Sequence, residues 1–447
     1  MGALKLRSGL HFTPQAVYSM PHAGAHAVLR SCGRGNEMPG QAQTQPDRAR
    51  FAERVAELAV QGAEGVSSLV DLTITSAVRL SSSDIHLEPT PEDVKVRLRI
   101  DGVMQDFGWL PGRLAANIVA RCKVMAGLLS YRTDIPQEGG APGATYGEGV
   151  QLRISTFPTL RGERVAVRIF DPAARREGLD DLGLTDPVKQ SLENALVCPE
   201  GLILLCGPSG CGKTTTLYAS LSHILMASSG GRAIVTVEDP IENELPGVTQ
   251  TGIRPASGLT FANSLRSLLR QNPEVIMVGE VRDAETAGIV VEAALTGHLV
   301  LSTVHAPRAA VVPHRLLDMG VEPYALAGAL SLVLAQRLVR LLCPECSRPA
   351  RKDEMTGIRE SARPGARIPV GCDACLGTGY KGRTLLAERL STSDALHDAI
   401  MVKAPRRRFF EIAHLDGEDI ESLAWQRVAE GRTSNEEVRR VLAGGTI

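Results

Sequence analysis

The stretch from Gly201 to Leu225, GLILLCGPSGCGKTTTLYASLSHIL, constrains this chain more than any other. Leu202 to Cys206 is a short, continuous apolar run, the pattern of a strand buried on both faces of a parallel sheet. Gly207 to Thr214 follows and satisfies G-x-x-x-x-G-K-[ST] at every defined position. From Thr214 onward, Leu217, Leu221, Ile224 and Leu225 recur at helical spacing. Strand, glycine loop and helix together frame a phosphate cradle. Gly207, Gly210 and Gly212 allow backbone conformations closed to other residues. The loop then aims its N–H groups, and the positive end of the helix, at phosphate oxygens. Gly207, Pro208, Ser209, Gly210, Cys211, Gly212, Lys213, Thr214 and Thr215 are the predicted nucleotide contacts. Lys213 adds a point charge near the terminal phosphates, and the Thr214 hydroxyl suits Mg2+. Cys211 reads as a small filler rather than a redox thiol.

Bulk properties narrow the class. The length of 447 residues leaves room for roughly two or three domains. An apolar content of 43% is that of an ordinary globular protein, and no apolar run approaches the roughly 18 residues of a membrane span. The N-terminus lacks an apolar signal core, which predicts a cytoplasmic protein. With 49 basic and 50 acidic residues the net charge is −1, which argues against a dedicated nucleic-acid binder. Four of the nine cysteines pair as Cys343-Pro-Glu-Cys346 and Cys372-Asp-Ala-Cys375, with residues 347–371 between them. Two C-x-x-C pairs suggest metal rather than disulfides, and four thiolates suit a tetrahedral structural Zn2+. A closed site of this kind predicts a role in folding, not catalysis.

Ahead of the glycine loop, residues 1 to about 48 show no steady period and read as a mobile tail, with Met38 a second candidate start of translation. An amphipathic helical pattern runs from about Ala52 to Leu80. Val94 to Ile100 then alternates strictly before Asp101-Gly102, the signature of a strand entering a hairpin turn. Lys95, Arg97 and Arg99 share one face of that strand. Residues 114–128 read as helix, and Gln151 to Phe170 as strand around Gly162-Glu-Arg164. This first domain is α+β, followed by a polar linker from Asp171 to Thr185.

After the linker the pattern repeats. Ala233–Val237 ends in Glu238-Asp239-Pro240, Val275–Val278 in Gly279-Glu280, and Leu299–Val304 in His305. With the glycine-loop strand, each apolar run delivers a polar group at its C-terminal end. In an open parallel sheet those ends line one crevice. Phe261–Arg270 and Asp283–Leu295 read as the intervening helices, and Ala327–Leu342 as a long apolar helix. Thr433-Ser434-Asn435-Glu436-Glu437 has capping-box spacing for a short final helix.

ATP hydrolysis needs phosphate binding, Mg2+, an oriented water and positive charge for the transition state. Glu280 is the first candidate for polarising the water, although Gly279 stands where many such ATPases carry Asp. Glu238 is the second, as base or through the Mg2+ shell; a helix-capping carboxylate has the same appearance in sequence. His305 is placed to touch the terminal phosphate, while His298 flanks the same strand at its other end. No arginine near the loop is an evident finger in cis. Arg97, Arg99, Arg164 and Arg168 of the first domain are candidates across an interface, with Arg270 and Arg282 as weaker ones; a solvated basic strand face is the competing account.

These motifs resemble those of the hexameric secretion ATPases that drive type II secretion and type IV pilus assembly. The resemblance spans roughly residues 55 to 445. It rests on Gly207–Thr216 with Leu217-Tyr218 (Walker A), Thr236–Glu242 (Asp box), Leu269–Asp283 (an atypical Walker B) and Leu295–His305 (His box), in the family's order. Ser83–His86, Arg97–Gly102 and Gly162–Arg164 resemble its N-terminal domain. The resemblance implies an α/β fold: a RecA-like P-loop NTPase core, a preceding α+β, PAS-like domain and a small zinc-binding C-terminal subdomain. It also implies a homohexamer, an inner-membrane platform protein as partner, peripheral membrane association through partners, and arginines donated between domains, matched best by Arg97 and Arg99. The expected division is a tail over 1–50, the PAS-like domain over 51–172, a linker over 173–184, the ATPase core over 185–342, the tetracysteine subdomain over 343–392 and a helical subdomain over 393–447. Assembly-type members carry the tetracysteine site and retraction-type pilus motors generally do not, which favours export or extension. Secretion-branch members usually have a further N-terminal docking domain, and here only the first ~50 residues stand in its place. Leu385-Leu-Ala-Glu388 departs from the family's more usual Gly-and-His wording. A nucleic-acid motor on the same core and a non-hydrolysing nucleotide-gated scaffold are the alternatives; near-neutral charge argues against the first, and intact Lys213, Thr214, Glu238 and Glu280 against the second.

Overall fold

The computed structural model describes residues 46–171, 178–254 and 257–443. The first ~45 residues of the expected tail lie outside them, as does most of the N-terminal half of the linker.

The front of the described chain opens with helices α1 (Pro46–Ala59) and α2 (Val66–Arg79). The single helix expected over Ala52–Leu80 is thus two, and its start at Pro46 takes in the end of the expected tail. The break is a 3-10 turn over Gly62–Gly65, where Gly62 sits at φ +62° and a side chain on Gly65 would collide with the Leu58 carbonyl. Apolar spacing runs on across such a turn, so the pattern alone does not show it.

Six strands follow: β1 (Asp84–Pro89), β2 (Asp93–Ile100), β3 (Val103–Pro111), then helix α3 (Ala115–Met125), β4 (Gln137–Pro142), β5 (Gln151–Thr159) and β6 (Gly162–Phe170). They form one antiparallel sheet in the order β3-β2-β1-β6-β5-β4. Asp101 and Gly102 close the β2–β3 hairpin with φ of 49° and 79°, the two positive values a two-residue primed turn needs. Val94, Val96 and Leu98 of β2 pack with Ile85, Ile154, Val165, Leu69 and Ile118 against α2 and α3. The opposite face carries the alternating Lys95, Arg97 and Arg99. A buried ion pair joins helix to sheet: Lys123 Nζ lies 2.6 Å from Glu163 Oε1 and donates to Arg132 O at 2.6 Å.

The expected polar linker is partly packed, because a 3-10 turn at Asp180–Leu182 buries Leu179 and Leu182 against the second unit of structure. That unit comprises α4 (Asp186–Val197), β7 (Gly201–Cys206), α5 (Lys213–Ala227), β8 (Ile234–Glu238), β9 (Thr249–Gly252), α6 (Phe261–Leu268), β10 (Val275–Val278), α7 (Ala284–Leu295), β11 (Leu299–Val304), α8 (Val312–Asp318), α9 (Pro323–Ala329) and β12 (Leu330–Leu342). The short β13 (Arg348–Pro349) and β14 (Arg367–Ile368) pair beside the tetracysteine motif, and β15 (Tyr380–Ser391) returns to the main sheet. Helices α10 (Asp394–Met401), α11 (Arg406–Asp416), α12 (Ile420–Ala429) and α13 (Asn435–Ala443) close the chain. Ser434 caps α13 by accepting from Glu437 N at 3.1 Å, as its spacing predicts.

The main sheet has seven strands in the order β15-β12-β7-β11-β10-β8-β9, parallel except for β15. Alternate residues of β7 enter two cores: Leu202, Leu204 and Cys206 face α7 and the C-terminal helices, while Ile203 and Leu205 face α4 and α5. The expected helix over Ala327–Leu342 is corrected here. Ala327–Ala329 ends α9, and Leu330–Leu342 is β12, a 13-residue strand between β7 and β15. Its Leu- and Val-rich run is buried on both faces, which removes the alternation that separates strand from helix.

Candidate active site

Fully buried β7 ends at Cys206, and the chain turns through Gly207–Gly212 into α5, whose first residue is Lys213. Gly207 has φ 142°, and a Cβ there would lie 2.5 Å from Gln336 O of β12 and 2.7 Å from Cys211 Sγ; only glycine fits. Pro208, Ser209 and Gly210 stand exposed at the tip. Lys213 Nζ donates to Gly207 O at 2.9 Å and Pro208 O at 3.0 Å, which places the ammonium over the loop. Thr214 and Thr215 occupy the first turn of α5 at the mouth. Cys211 is buried, and burial pushes its thiol pKa up, which suits the filler role.

Glu280 leaves β10 two residues past Val278. Its loop is fastened to both neighbours: Gly279 N donates to Val237 O at 2.8 Å, Val281 N to Thr303 O at 2.9 Å, and Thr303 Oγ1 to Gly279 O at 2.8 Å. Glu280 Oε1 lies 2.7 Å from His305 Nε2, and Oε2 accepts from Arg282 Nε at 2.7 Å. Because β11 runs between β7 and β10, Glu280 emerges two strands from the P-loop strand, roughly 9–10 Å away at ordinary strand spacing. That gap is wide enough for a phosphate and a water.

Glu238 ends β8 and is 3% exposed. Thr236 Oγ1 donates to its Oε1 at 2.6 Å, Gln250 Nε2 to the same oxygen at 3.0 Å, and Tyr218 Oη of α5 to Oε2. Burial, then the Glu238 hydrogen bond, pushes the Tyr218 pKa up, so the phenol stays a donor. Sequence reading found Glu238 but not these partners, since nothing in the local pattern links residues 218, 236 and 250.

The structure thus gathers Lys213, Glu238, Glu280 and His305 at the carboxyl edge of one sheet. Of the other candidates, Arg282 joins them through Glu280, whereas His298, Arg97, Arg99, Arg164 and Arg168 do not. His298 lies at the opposite end of β11, Nδ1 against Ala293 O at 3.0 Å. Arg97 pairs with Asp106 at 3.1 Å and Glu88 at 3.7 Å, and Arg99 with Asp84 at 3.2 Å, all within the front sheet. Arg164 pairs with Glu88 and Arg168 with Asp84.

The four cysteine sulfurs lie within 4.8 Å of one another. Cys343 and Cys372 are 3.8 Å apart, Cys346 and Cys375 3.8 Å, and Cys372 and Cys375 3.7 Å. A tetrahedral Zn2+ with ~2.3 Å bonds sets sulfurs about 3.8 Å apart, whereas a disulfide needs about 2.05 Å. Backbone N–H groups of Gly371 (3.3 Å to Cys346 Sγ) and Gly379 (3.2 Å to Cys375 Sγ) support thiolate character. The cluster fits zinc.

The profile of the family described as "Type II/IV secretion system protein" matches residues 59–440. The chain belongs to this family. Among curated relatives, Type II secretion system protein E of Pseudomonas aeruginosa is 40% identical over 403 residues, covering 88% of this chain and 80% of that protein. Type II secretion system ATPase E of Vibrio cholerae is 40% identical over 380 residues, covering 84% and 75%. Of solved structures, the Legionella pneumophila ATPase DotB superposes with a TM-score of 0.61 at 22% identity over 84% of this chain and 95% of that one. The pilus retraction motor PilT with bound ADP does so with 0.56 at 25% identity over 82% and 95%. The chain is accordingly a motor of the secretion and pilus-assembly ATPase kind, on an α/β mixed-sheet fold. Among the described residues no helix is long and apolar enough to cross a membrane.

Proposed function

We propose that this family member is a Mg2+-dependent ATPase, working as a homohexameric ring on the cytoplasmic face of an inner membrane and held there by a platform protein of its secretion or pilus system. The observation that carries the catalytic part is the convergence of Lys213, Glu238, Glu280 and His305 at one sheet edge. In this reading the N–H groups of Gly207–Thr215 and the Lys213 ammonium bind the phosphates. The Thr214 hydroxyl, in the first turn of α5, would hold Mg2+, which neutralises phosphate charge. Glu280, at the mouth with His305 on its carboxylate, polarises the attacking water. Buried Glu238, with three donors, is the better fixed of the two acids, which supports a positioning role beside the metal. His305 contacts the terminal phosphate. Arg97 and Arg99 supply transition-state charge from a front domain, read as PAS-like, across a domain or subunit boundary. Cys343, Cys346, Cys372 and Cys375 would hold one structural Zn2+, and their presence supports assembly or export over retraction. The chain's ATPase core, over residues 185–342, would be RecA-like, behind the front domain over 51–172 and ahead of the tetracysteine subdomain over 343–392 and a helical subdomain over 393–447.

Lys213→Ala tests it most directly. ATP turnover of the purified protein with Mg2+ is expected to fall to background, with the thermal unfolding profile unchanged. Turnover surviving in the variant defeats the phosphate-binding role given to Lys213, and turnover absent in the parent at all protein concentrations defeats the ATPase reading.

A further inference from the structure

The segment that leaves β11 carries His305 and, three residues on, Arg308. Two buried side chains outside the P-loop hold it. From β12, Arg337 donates Nη2 to Pro307 O at 2.8 Å and Nη1 to Gln336 O at 2.9 Å. From β15, Glu388 is 4% exposed. It accepts from Arg308 Nε at 2.9 and 2.7 Å, from Ala309 N at 2.8 Å and from Ile420 N at 3.3 Å. Ile420 is the first residue of α12. Its cap, Asp419, accepts from Ser422 N at 2.7 Å and lies 3.7 Å from Arg308 Nη2.

Packing does not require a carboxylate at this position. Leu386 and Leu390 flank Glu388 on the same face of β15, and both are core residues. Burying an ionised carboxylate costs several kcal/mol before its partners compensate. Here the partners come from the His305 segment and from the start of α12, two regions that the chain separates by over a hundred residues. A rigid bidentate anchor of this kind transmits displacement, since a shift in either segment breaks hydrogen bonds unless the other follows.

We propose that Glu388 is a positioning residue that couples the Glu280–His305 pair to the C-terminal helices. When His305 moves with the state of the bound nucleotide, Arg308 and Ala309 move with it, and Glu388 carries the displacement to the start of α12. This rests on the ATPase reading given above.

The chain has two tryptophans. Trp425 lies on α12 with Arg359 5.5 Å over its ring, so a full-length Trp109→Phe protein reports on α12 alone. Its emission is expected to differ between a non-hydrolysable ATP analogue and ADP. Glu388→Gln should abolish that difference, leave nucleotide affinity within about twofold, and lower kcat about tenfold or more at unchanged KM. His305→Ala combined with Glu388→Gln should cost no more than the larger single change, because both act through one element. A folded Glu388→Gln protein with parental kcat and emission change overturns the coupling. So do costs that multiply, or a parent that turns over ATP with nucleotide-independent emission. Should Glu388→Gln fail to fold, Arg308→Lys keeps the charge but loses the Nε–H that Glu388 accepts; parental emission changes in that variant overturn the proposal equally. A parent without ATP turnover defeats the functional reading instead, so the two failures are distinguishable.

Discussion

The six-stranded front sheet buries one face and exposes the other, whereas the seven-stranded sheet that carries the P-loop is buried on both in β7, β10 and β11. In the front sheet the strands alternate direction, so its charged groups collect on a face, as Lys95, Arg97 and Arg99 do. In the parallel sheet the carboxyl ends fall on one edge, so its charged groups collect there, as Glu238, Glu280 and His305 do. Charges on a solvated face pair with neighbours and are screened, each pair being worth about 0.2–1 kcal/mol. In an open α/β sheet the carboxyl edge is the general place for a ligand. The front sheet therefore reaches a phosphate only if another domain or subunit brings one to it.

Four changes sharpen or break this contrast. The largest effect is expected on the stability of the front unit. Glu163→Ala leaves the Lys123 ammonium buried and unpaired, and should lower the unfolding free energy seen in a urea titration by about 3–5 kcal/mol, whereas replacing both residues by Met should cost far less. Equal costs would show that the ion pair does not join helix to sheet. Next, Arg97→Ala with Arg99→Ala should reduce kcat by about 10³-fold if these groups act as fingers, and parental turnover per chain should rise with protein concentration. A loss under about twofold would leave the basic face a solvated surface. Glu280→Gln should lower kcat by about 10²-fold with nucleotide affinity retained; untouched turnover would move the water-polarising role elsewhere.

The smallest effect concerns pH. Burial alone would raise the Glu437 pKa, but Arg440 and Arg340, at 2.6 to 2.9 Å, hold it below the usual glutamate range. A depressed folded value stabilises above the unfolded pKa of about 4.3 and is lost as pH falls below it. The melting-temperature gap between parent and Glu437→Gln should accordingly be constant near neutrality and shrink below about pH 4. A gap that stays constant down to strong acid would show that Glu437 contributes no charge-linked stability.

Several of these sites were legible before the fold was known. The Walker A loop announces itself because Gly207, Gly210, Gly212, Lys213 and Thr214 keep fixed spacing within one short stretch, and the cysteine pairs do so through their own spacing. Glu238 and Glu280 were legible because each follows an apolar run. Other features were not. β12 reads as helix because a strand buried on both faces has no alternation. His298 and His305 flank the β11 run in sequence, but only the structure shows His298 against Ala293 O and His305 on Glu280. Leu385–Glu388 departs from the family's usual wording without pointing to a role, and Glu388 gains one only from partners at residues 308, 309 and 420.

Local residue order accounts for the glycine loop, the hairpin at Asp101-Gly102 and the cap at Ser434, because each rests on backbone conformations and donors within a few residues. The placing of Lys213 and Glu280 on one sheet edge, the pairing of Arg97 and Arg99 within their own sheet, and the tie from Arg308 through Glu388 to α12 depend on which strands lie side by side. The placing of β11 between β7 and β10 and of β12 between β7 and β15 is a product of packing between distant segments, and short-range pattern carries no record of it.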